Sequence, residues 1–173
     1  MKKWREFLVK LGVQTIPKID VEVKTASHKS NQGQRLTHEY PVYRSPHILG
    51  ILAAKNEAKN QKLAKILDKN WNYYQQYKQW TYYYFDRAKS SWEPSMTSDA
   101  DWFAQLKTVA WLPTTNGTMA KPGELFLSKP ETVSILGDTV PYLAIALQKE
   151  EFIQDWILRG RSGDRGRSGD RDI

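Results

Sequence analysis

The aromatic run at residues 70–85, NWNYYQQYKQWTYYYF, limits the fold of this chain more than any other segment. Ten of the chain's 21 aromatic residues lie between Trp71 and Trp92. Rings at this density either pack inside the protein or form an exposed surface on which a partner stacks. The first arrangement makes the run a packing element of a larger structure, and the second makes it a binding site.

Helical spacing predicts that the run continues one apolar face of a long helix over residues 57–85. At 100° per residue, the face comprises Leu63, Ile66, Leu67, Tyr73, Tyr74, Tyr77, Trp80, Tyr84 and Phe85. We interpret this face as buried. Trp71, Tyr82 and Tyr83 fall outside it, and Lys62, Lys65 and Lys69 border it. These six residues are therefore the candidate interaction surface.

The remaining patterns predict an α+β fold dominated by helices. Residues 2–12 have the spacing of an amphipathic helix, and residues 19–25 alternate as a strand that buries Ile19, Val21 and Val23. Residues 26–40 are polar and predict a loop. Three further helices are predicted to begin at Ser45-Pro46, near residues 98–101 and at Lys129-Pro130.

The C-terminal half combines a small β element with a last helix. Asn116-Gly117 lies between apolar stretches, which predicts the turn of a hairpin within residues 109–127. Residues 141–158 are rich in apolar residues and predict the C-terminal helix. We therefore expect one domain over residues 1–158 and a disordered tail over 159–173, where the repeat RSGDRG/RSGDRD offers no core.

Composition excludes several classes of site. The chain has no cysteine, so disulfides, thiolate nucleophiles and cysteine-based zinc sites are excluded. The histidines His28, His38 and His47 have no metal-ligand spacing, and no catalytic or cofactor motif is present. We expect a protein without enzyme activity, cofactor or metal. We also expect a cytoplasmic location without a membrane partner, because no signal peptide or membrane-spanning run is found.

The charge of the chain favours an anionic partner. The formal net charge is +7, and residues 54–92 contain eight Lys or Arg against three Asp or Glu. A second hypothesis therefore follows, namely a small basic module for single-stranded nucleic acid. The aromatic rings would stack on bases, and Lys62, Lys65 and Lys69 would hold phosphates.

A scaffold pattern runs through residues 102–143. It contains Trp-Leu-Pro-Thr at 111–114, a glycine turn at Gly117 and Pro-x-Glu-Leu-Phe at 122–126. Together with Asn70-Trp71 and Tyr74, and with Phe7 to Val13, this pattern resembles the sacsin-like and NO VEIN-like proteins over about residues 1–150. These are very large chains that carry a GHKL-type ATP-binding domain.

The ATP-binding motifs of that family are absent from this sequence. Asn60 stands where an Asn-x-x-x-Asp helix motif starting at Asn56 needs its Asp, and no Asp-x-Gly-x-Gly follows. The resemblance therefore implies an internal, non-catalytic scaffold segment, a fragment without the ATPase. Its partners would be other domains or subunits of a larger, chaperone-like ATP-binding protein.

Overall fold

The computed structural model describes residues 16–150 and 153–154 of the chain. These residues form two compact units. The first unit contains residues 16–49 and 74–103, and the second contains residues 50–73, 104–150 and 153–154. Each unit is described by itself below.

Three antiparallel hairpins and five helices make up the described part of the chain. The strands are β1 (Asp20–Lys29), β2 (Arg35–Arg44), β3 (Gln79–Asp86), β4 (Ser91–Asp99), β5 (Leu112–Pro113) and β6 (Met119–Ala120), and the helices are α1 (Pro46–Ala53), α2 (Glu57–Lys69), α3 (Trp71–Tyr74), α4 (Asp101–Thr108) and α5 (Pro130–Leu136). Short 3-10 turns follow at Gln75–Tyr77, Pro122–Glu124, Gly137–Thr139 and Ile145–Leu147. The fold is α+β with 39% helix and 33% strand, so the prediction that helices dominate is wrong.

The predicted long helix over residues 57–85 is also wrong. Helix α2 ends at Lys69, and Asn70 caps it by donating from both its backbone N–H and its side-chain amide to the carbonyl of Ile66. After one turn of α3 and a 3-10 turn, the chain enters β3 at Gln79. Tyr, Phe, Trp and Thr are enriched in strands. Pairing with β4 makes this segment a strand instead of a continuation of the helix.

The predicted strand at residues 19–25 is present, but its apolar face points outward. Ile19 is buried, whereas Val21 and Val23 are 55% and 61% exposed. The opposite face of β1, which includes Lys24 and His28, is half-buried. His28 on this face stacks on Phe85 of the second hairpin, β3–β4, while the valines stay in solvent.

The predicted loop over residues 26–40 is largely strand. β1 continues to Lys29 and β2 begins at Arg35, in one uninterrupted antiparallel register. The turn between them contains Gly33, whose φ of +79° suits glycine. Two of the three histidines, His28 and His38, are consequently strand residues.

The core of the first unit forms around Tyr74 and Trp102, which are fully buried. The Tyr74 hydroxyl donates to the carbonyl of Pro17 at 2.8 Å, and the two rings lie 5.9 Å apart. The Trp102 indole N–H donates to the carbonyl of Tyr77 at 3.2 Å. Both large rings thus bury their apolar surface and satisfy their polar atoms.

The predicted helix starts are confirmed. Helix α1 begins at Pro46, and the Ser45 hydroxyl accepts from the Ile48 N–H at 3.4 Å while it donates to Lys18 O at 2.8 Å. Helix α5 begins at Pro130 and ends at Gly137, whose φ is +62°. The helix predicted near residues 98–101 begins at Asp101.

The second unit packs α2 against β5 and the 3-10 turn Ile145–Leu147. Its buried apolar side chains are Leu52, Leu63, Ala64, Leu67, Leu106, Trp111, Leu112, Ala120, Leu125, Tyr142, Leu143, Ala144, Leu147 and Ile153. The predicted small hairpin is observed, with Leu112 opposite Ala120 and Pro113 opposite Met119.

The prediction of a C-terminal helix fails over residues 141–150. Tyr142 bridges Phe126 and Leu143 bridges Thr114 before the 3-10 turn, because these residues join the β5–β6 region. The rest of that helix, apart from residues 153–154, lies outside the described residues, as do the predicted helix at 2–12 and the tail at 159–173. The single-domain boundary at residue 158 stays a prediction.

Candidate functional site

Strand β3 sorts the C-terminal part of the aromatic run into two faces. Side chains of a strand alternate between its sides, so Tyr82 and Tyr83 point to opposite faces although they are neighbours in sequence. Tyr83 and Phe85 belong to the inner face, and Trp80, Tyr82 and Tyr84 belong to the outer face. The two tyrosines predicted to act together are therefore separated.

The inner face packs against the first hairpin, β1–β2. The His38 ring lies 4.4 Å from Tyr83 and 5.5 Å from Trp92, and the His28 ring stacks on Phe85 at 4.8 Å. These contacts explain why both histidines are half-buried. Tyr83 is thus part of the packing between two hairpins, which removes it from any exposed platform.

The outer face, defined here as Trp80, Tyr82, Tyr84 and Met96, is open to solvent along one side. Tyr82, Tyr84 and Met96 are 38%, 49% and 61% exposed. Trp80 anchors the face, because its ring lies 4.1 Å from Tyr82 and nearly parallel to Tyr40 at 5.8 Å. The result is a row of partly fixed rings that a partner can contact.

A β-bulge shapes this outer face. Thr81 pairs with Thr97 and Tyr83 pairs with Pro94, so Tyr82 stands opposite two residues of β4. One of those two residues is Met96. Bulges bend a strand and redirect its side chains, and this bulge lies where the outer face is most exposed.

The other predicted surface residues lie in the second unit. Lys62, Lys65 and Lys69 are exposed along α2, and Trp71 is half-buried at the start of α3. The structure therefore distributes the six predicted residues over two units, four in the second and two in the first.

One carboxyl group in the second unit, that of Glu150, has a raised pKa. Burial raises the pKa of Glu150, and a hydrogen bond and charge repulsion from Asp68 raise it further. Lys65 acts in the opposite direction. Because Asp68 lies on α2, the protonation of Glu150 affects the contact between α2 and the segment after residue 147.

The described residues contain no cluster of three or more His, Cys, Asp or Glu that could hold a metal ion. His28 and His38 are engaged with rings, and His47 is exposed at the start of α1. No helix within residues 16–150 has the length and hydropathy needed to cross a membrane.

Sequence reasoning missed Tyr84 and Met96 as surface residues and placed Tyr84 on a buried helix face. The signal that could have identified these two residues is the alternation of side chains between the two faces of a strand. In QWTYYYF a β-branched threonine and aromatic residues follow each other, a composition enriched in strands. Reading the segment with a period of two separates Tyr82 and Tyr84 from Tyr83 and Phe85.

Comparison with protein-family models, with curated proteins and with solved structures finds no match to this chain.

Proposed function

We propose that this chain is a non-catalytic, cytoplasmic interaction domain that binds another protein through its outer face. The exposure of Tyr82, Tyr84 and Met96 beside the anchored ring of Trp80 carries the proposal. Aromatic residues and methionine are enriched in the buried centres of protein interfaces. Fixed rings also lose little side-chain entropy when a partner covers them.

The charge of the first unit favours a protein partner over nucleic acid. Its described residues contain eight Lys or Arg and seven Asp or Glu, a net charge of 8 − 7 = +1. Affinity for nucleic acid comes largely from neutralising phosphates with cations. A nearly neutral surface with exposed rings and a methionine lacks this attraction for phosphates. Such a surface suits binding to an uncharged, apolar patch on a protein.

The partner we propose is another domain or subunit of a sacsin-like or NO VEIN-like ATP-binding protein. The Trp-Leu-Pro-Thr segment that carries the resemblance packs in the second unit, where Trp111 and Leu112 are fully buried. A buried apolar segment of this kind favours a scaffold role, because it supplies no catalytic group. In this proposal the chain is a chaperone-like scaffold fragment without the ATPase domain.

Binding of single-stranded nucleic acid is the second candidate function. The exposed rings of Tyr82 and Tyr84 and the exposed lysines Lys62, Lys65 and Lys69 favour it. This function predicts oligonucleotide binding that weakens steeply as salt increases. Fluorescence anisotropy with a labelled single strand distinguishes it from protein binding.

Site-specific photocrosslinking in cells tests the first proposal. A photoreactive phenylalanine analogue replaces Tyr84 in the full chain, and the control chain carries it at Thr115, an exposed position of the second unit. We expect position 84 to crosslink to a discrete protein that position 115 does not capture. Additional Tyr82→Ser and Met96→Ser substitutions should remove that product.

Crosslinks from position 84 to nucleic acid alone would overturn the proposal in favour of the second candidate. Crosslinks no stronger than those from position 115 would also overturn it. Hydrolysis of ATP by the purified chain would contradict the non-catalytic part, because no ATP-binding motif is present in the sequence.

A further inference from the structure

The outer edge of β1 is unpaired among the described residues. β1 is ten residues long, and within residues 16–150 its one strand partner is β2. Every strand edge of this kind presents a row of backbone N–H and C=O groups that can pair with another strand. The edge is accessible, since Asp20 to Val23 are all exposed.

The free edge of β4 is protected in a way that β1 is not. β4 contains Pro94, which cannot donate a backbone hydrogen bond, and the bulge opposite Tyr82 interrupts its register. Proline and bulges are devices that prevent strands from pairing at an edge. β1 contains neither, and its register with β2 runs without a shift from Asp20 to Lys29.

The charges of β1 are arranged for antiparallel pairing with itself. Asp20 and Glu22 lie in its first half, and Lys24 and Lys29 lie in its second half. An antiparallel copy can bring Glu22 opposite Lys24, whereas a parallel copy in register brings like charges together. Opposite charges across a strand pair stabilise it, and like charges destabilise it.

We propose that two copies of this chain form a dimer by antiparallel pairing of their β1 strands about Val23. Paired residues of an antiparallel sheet lie on the same face, so a two-fold axis can pass through Val23. Glu22 of each copy then lies opposite Lys24 of the other, and Val21 lies opposite Thr25. This contact uses β1, so it goes beyond the proposed function of the outer face.

Two observations on single side chains agree with this register. Val21 and Val23 are more than half exposed, and the pairing covers part of both. Glu22 already accepts from the Nε of Arg44 at 2.8 Å, but its side chain is 48% exposed. A carboxylate has two acceptor oxygens, so Glu22 can bind Arg44 and the Lys24 of the second copy together.

Disulfide crosslinking tests the register, because the chain has no cysteine of its own. In the dimer the Cβ atoms of the two Val23 residues are roughly 5 Å apart, so Val23→Cys should form a disulfide-linked dimer with diamide. The two Thr25 residues are four strand positions apart, roughly 14 Å. The matched control Thr25→Cys should therefore remain monomeric on a non-reducing gel.

Charge reversal tests the ion pairs independently. Lys24→Glu places a carboxylate opposite Glu22 on both sides of the axis and should raise the dimer dissociation constant about tenfold or more. Combining it with Glu22→Lys restores opposite charges and should recover most of the affinity. Sedimentation equilibrium measures the dissociation constants, and circular dichroism verifies that each variant is folded.

A wild-type chain that stays monomeric at millimolar concentration would overturn the dimer. A disulfide in the Thr25→Cys variant but not in Val23→Cys would overturn the register. If position 84 crosslinks no partner, the dimer proposal still stands, because Tyr84 lies on β3 and not on β1. The two proposals can therefore be refuted independently.

Discussion

The side-chain Nδ2 of Asn60 lies 3.2 Å from the Sδ of Met119, which joins helix α2 to strand β6. Asn60 is fully buried, and its Oδ1 has no hydrogen-bond partner among the described residues. A thioether is a weak acceptor. The buried side-chain amide of Asn60 therefore has a weak acceptor for its Nδ2 and no donor for its Oδ1 among the described residues.

Replacing this amide with a hydrocarbon is expected to stabilise the protein. Asn60→Leu removes a buried acceptor without a partner, whose desolvation costs about 1–3 kcal/mol, although the larger side chain offsets part of the gain. We expect the free energy of unfolding to rise by about 1 kcal/mol. Urea denaturation of the purified chain measures it.

Asn56→Leu is the matched control on the same helix. The Asn56 Oδ1 accepts from the Lys59 N–H at 2.9 Å and caps α2. Leucine cannot cap a helix, so this variant should lose about 1 kcal/mol. The same sign for both asparagine variants would contradict our account of Asn60.

The Tyr74 hydroxyl should contribute to stability because a fully buried side chain donates this bond to Pro17 O. Tyr74→Phe keeps the ring and removes the donor, so we expect a loss of about 1 kcal/mol. Tyr84→Phe makes the same chemical change on an exposed ring and should stay within about 0.5 kcal/mol. Thermal or urea unfolding compares the two, and equal losses would refute the assignment.

The Thr114 hydroxyl organises the turn of the third hairpin, β5–β6. It donates to Thr118 O at 3.0 Å, accepts from the Thr118 N–H at 3.1 Å and contacts Asn116 Oδ1. Thr114→Val keeps the shape and removes the hydroxyl, which should cost about 1–3 kcal/mol.

Thr115→Val is the control for this variant, since the Thr115 side chain is exposed and its backbone bond to Tyr142 O is retained. We expect a change within about 0.5 kcal/mol. Hydrogen exchange should show faster exchange of the Thr118 amide in Thr114→Val only. Unchanged exchange in that variant would contradict the role of the hydroxyl.

We predict that the stability of the folded protein depends on pH through the carboxyl group of Glu150. Its pKa is raised in the folded protein, so the folded state binds this proton more tightly than the unfolded state does. Stability therefore decreases as the pH rises through the raised pKa. Glu150→Gln should match the wild type at low pH and exceed it at neutral pH, by less than about 1 kcal/mol because the group is largely solvated.

Urea unfolding at several pH values measures this difference. Asp68→Asn removes the partner that contributes to the raised pKa of Glu150. In that background the effect of Glu150→Gln should shrink. A constant difference between wild type and Glu150→Gln at every pH would argue against a raised pKa of Glu150.

Local signals in the sequence predicted the ends of several elements correctly. Pro46 and Pro130 begin helices, and Asn116-Gly117 forms the turn of the third hairpin. Each signal depends on the backbone angles and hydrogen bonds of a few neighbouring residues. Such constraints act before any distant contact forms, so they can be read without the tertiary structure.

Periodicity failed where two structures compete for the same residues. Tyr73 to Phe85 satisfy a helical stripe, but the segment also has the composition of a strand. Pairing of β3 with β4 and the stacking of its inner rings on His28 and His38 select the strand. The partners lie up to 57 residues away in sequence, since His28 contacts Phe85, so no local window contains them.

By itself the sequence determined the alternation of β1, the starts of α1, α4 and α5 and the density of rings at residues 70–85. Only the tertiary structure decided which face of β1 is buried and which rings of β3 reach solvent. The physical reason is that burial depends on the surface available to pack against. The aromatic inner face of the second hairpin covers His28 and His38, so Val21 and Val23 remain exposed.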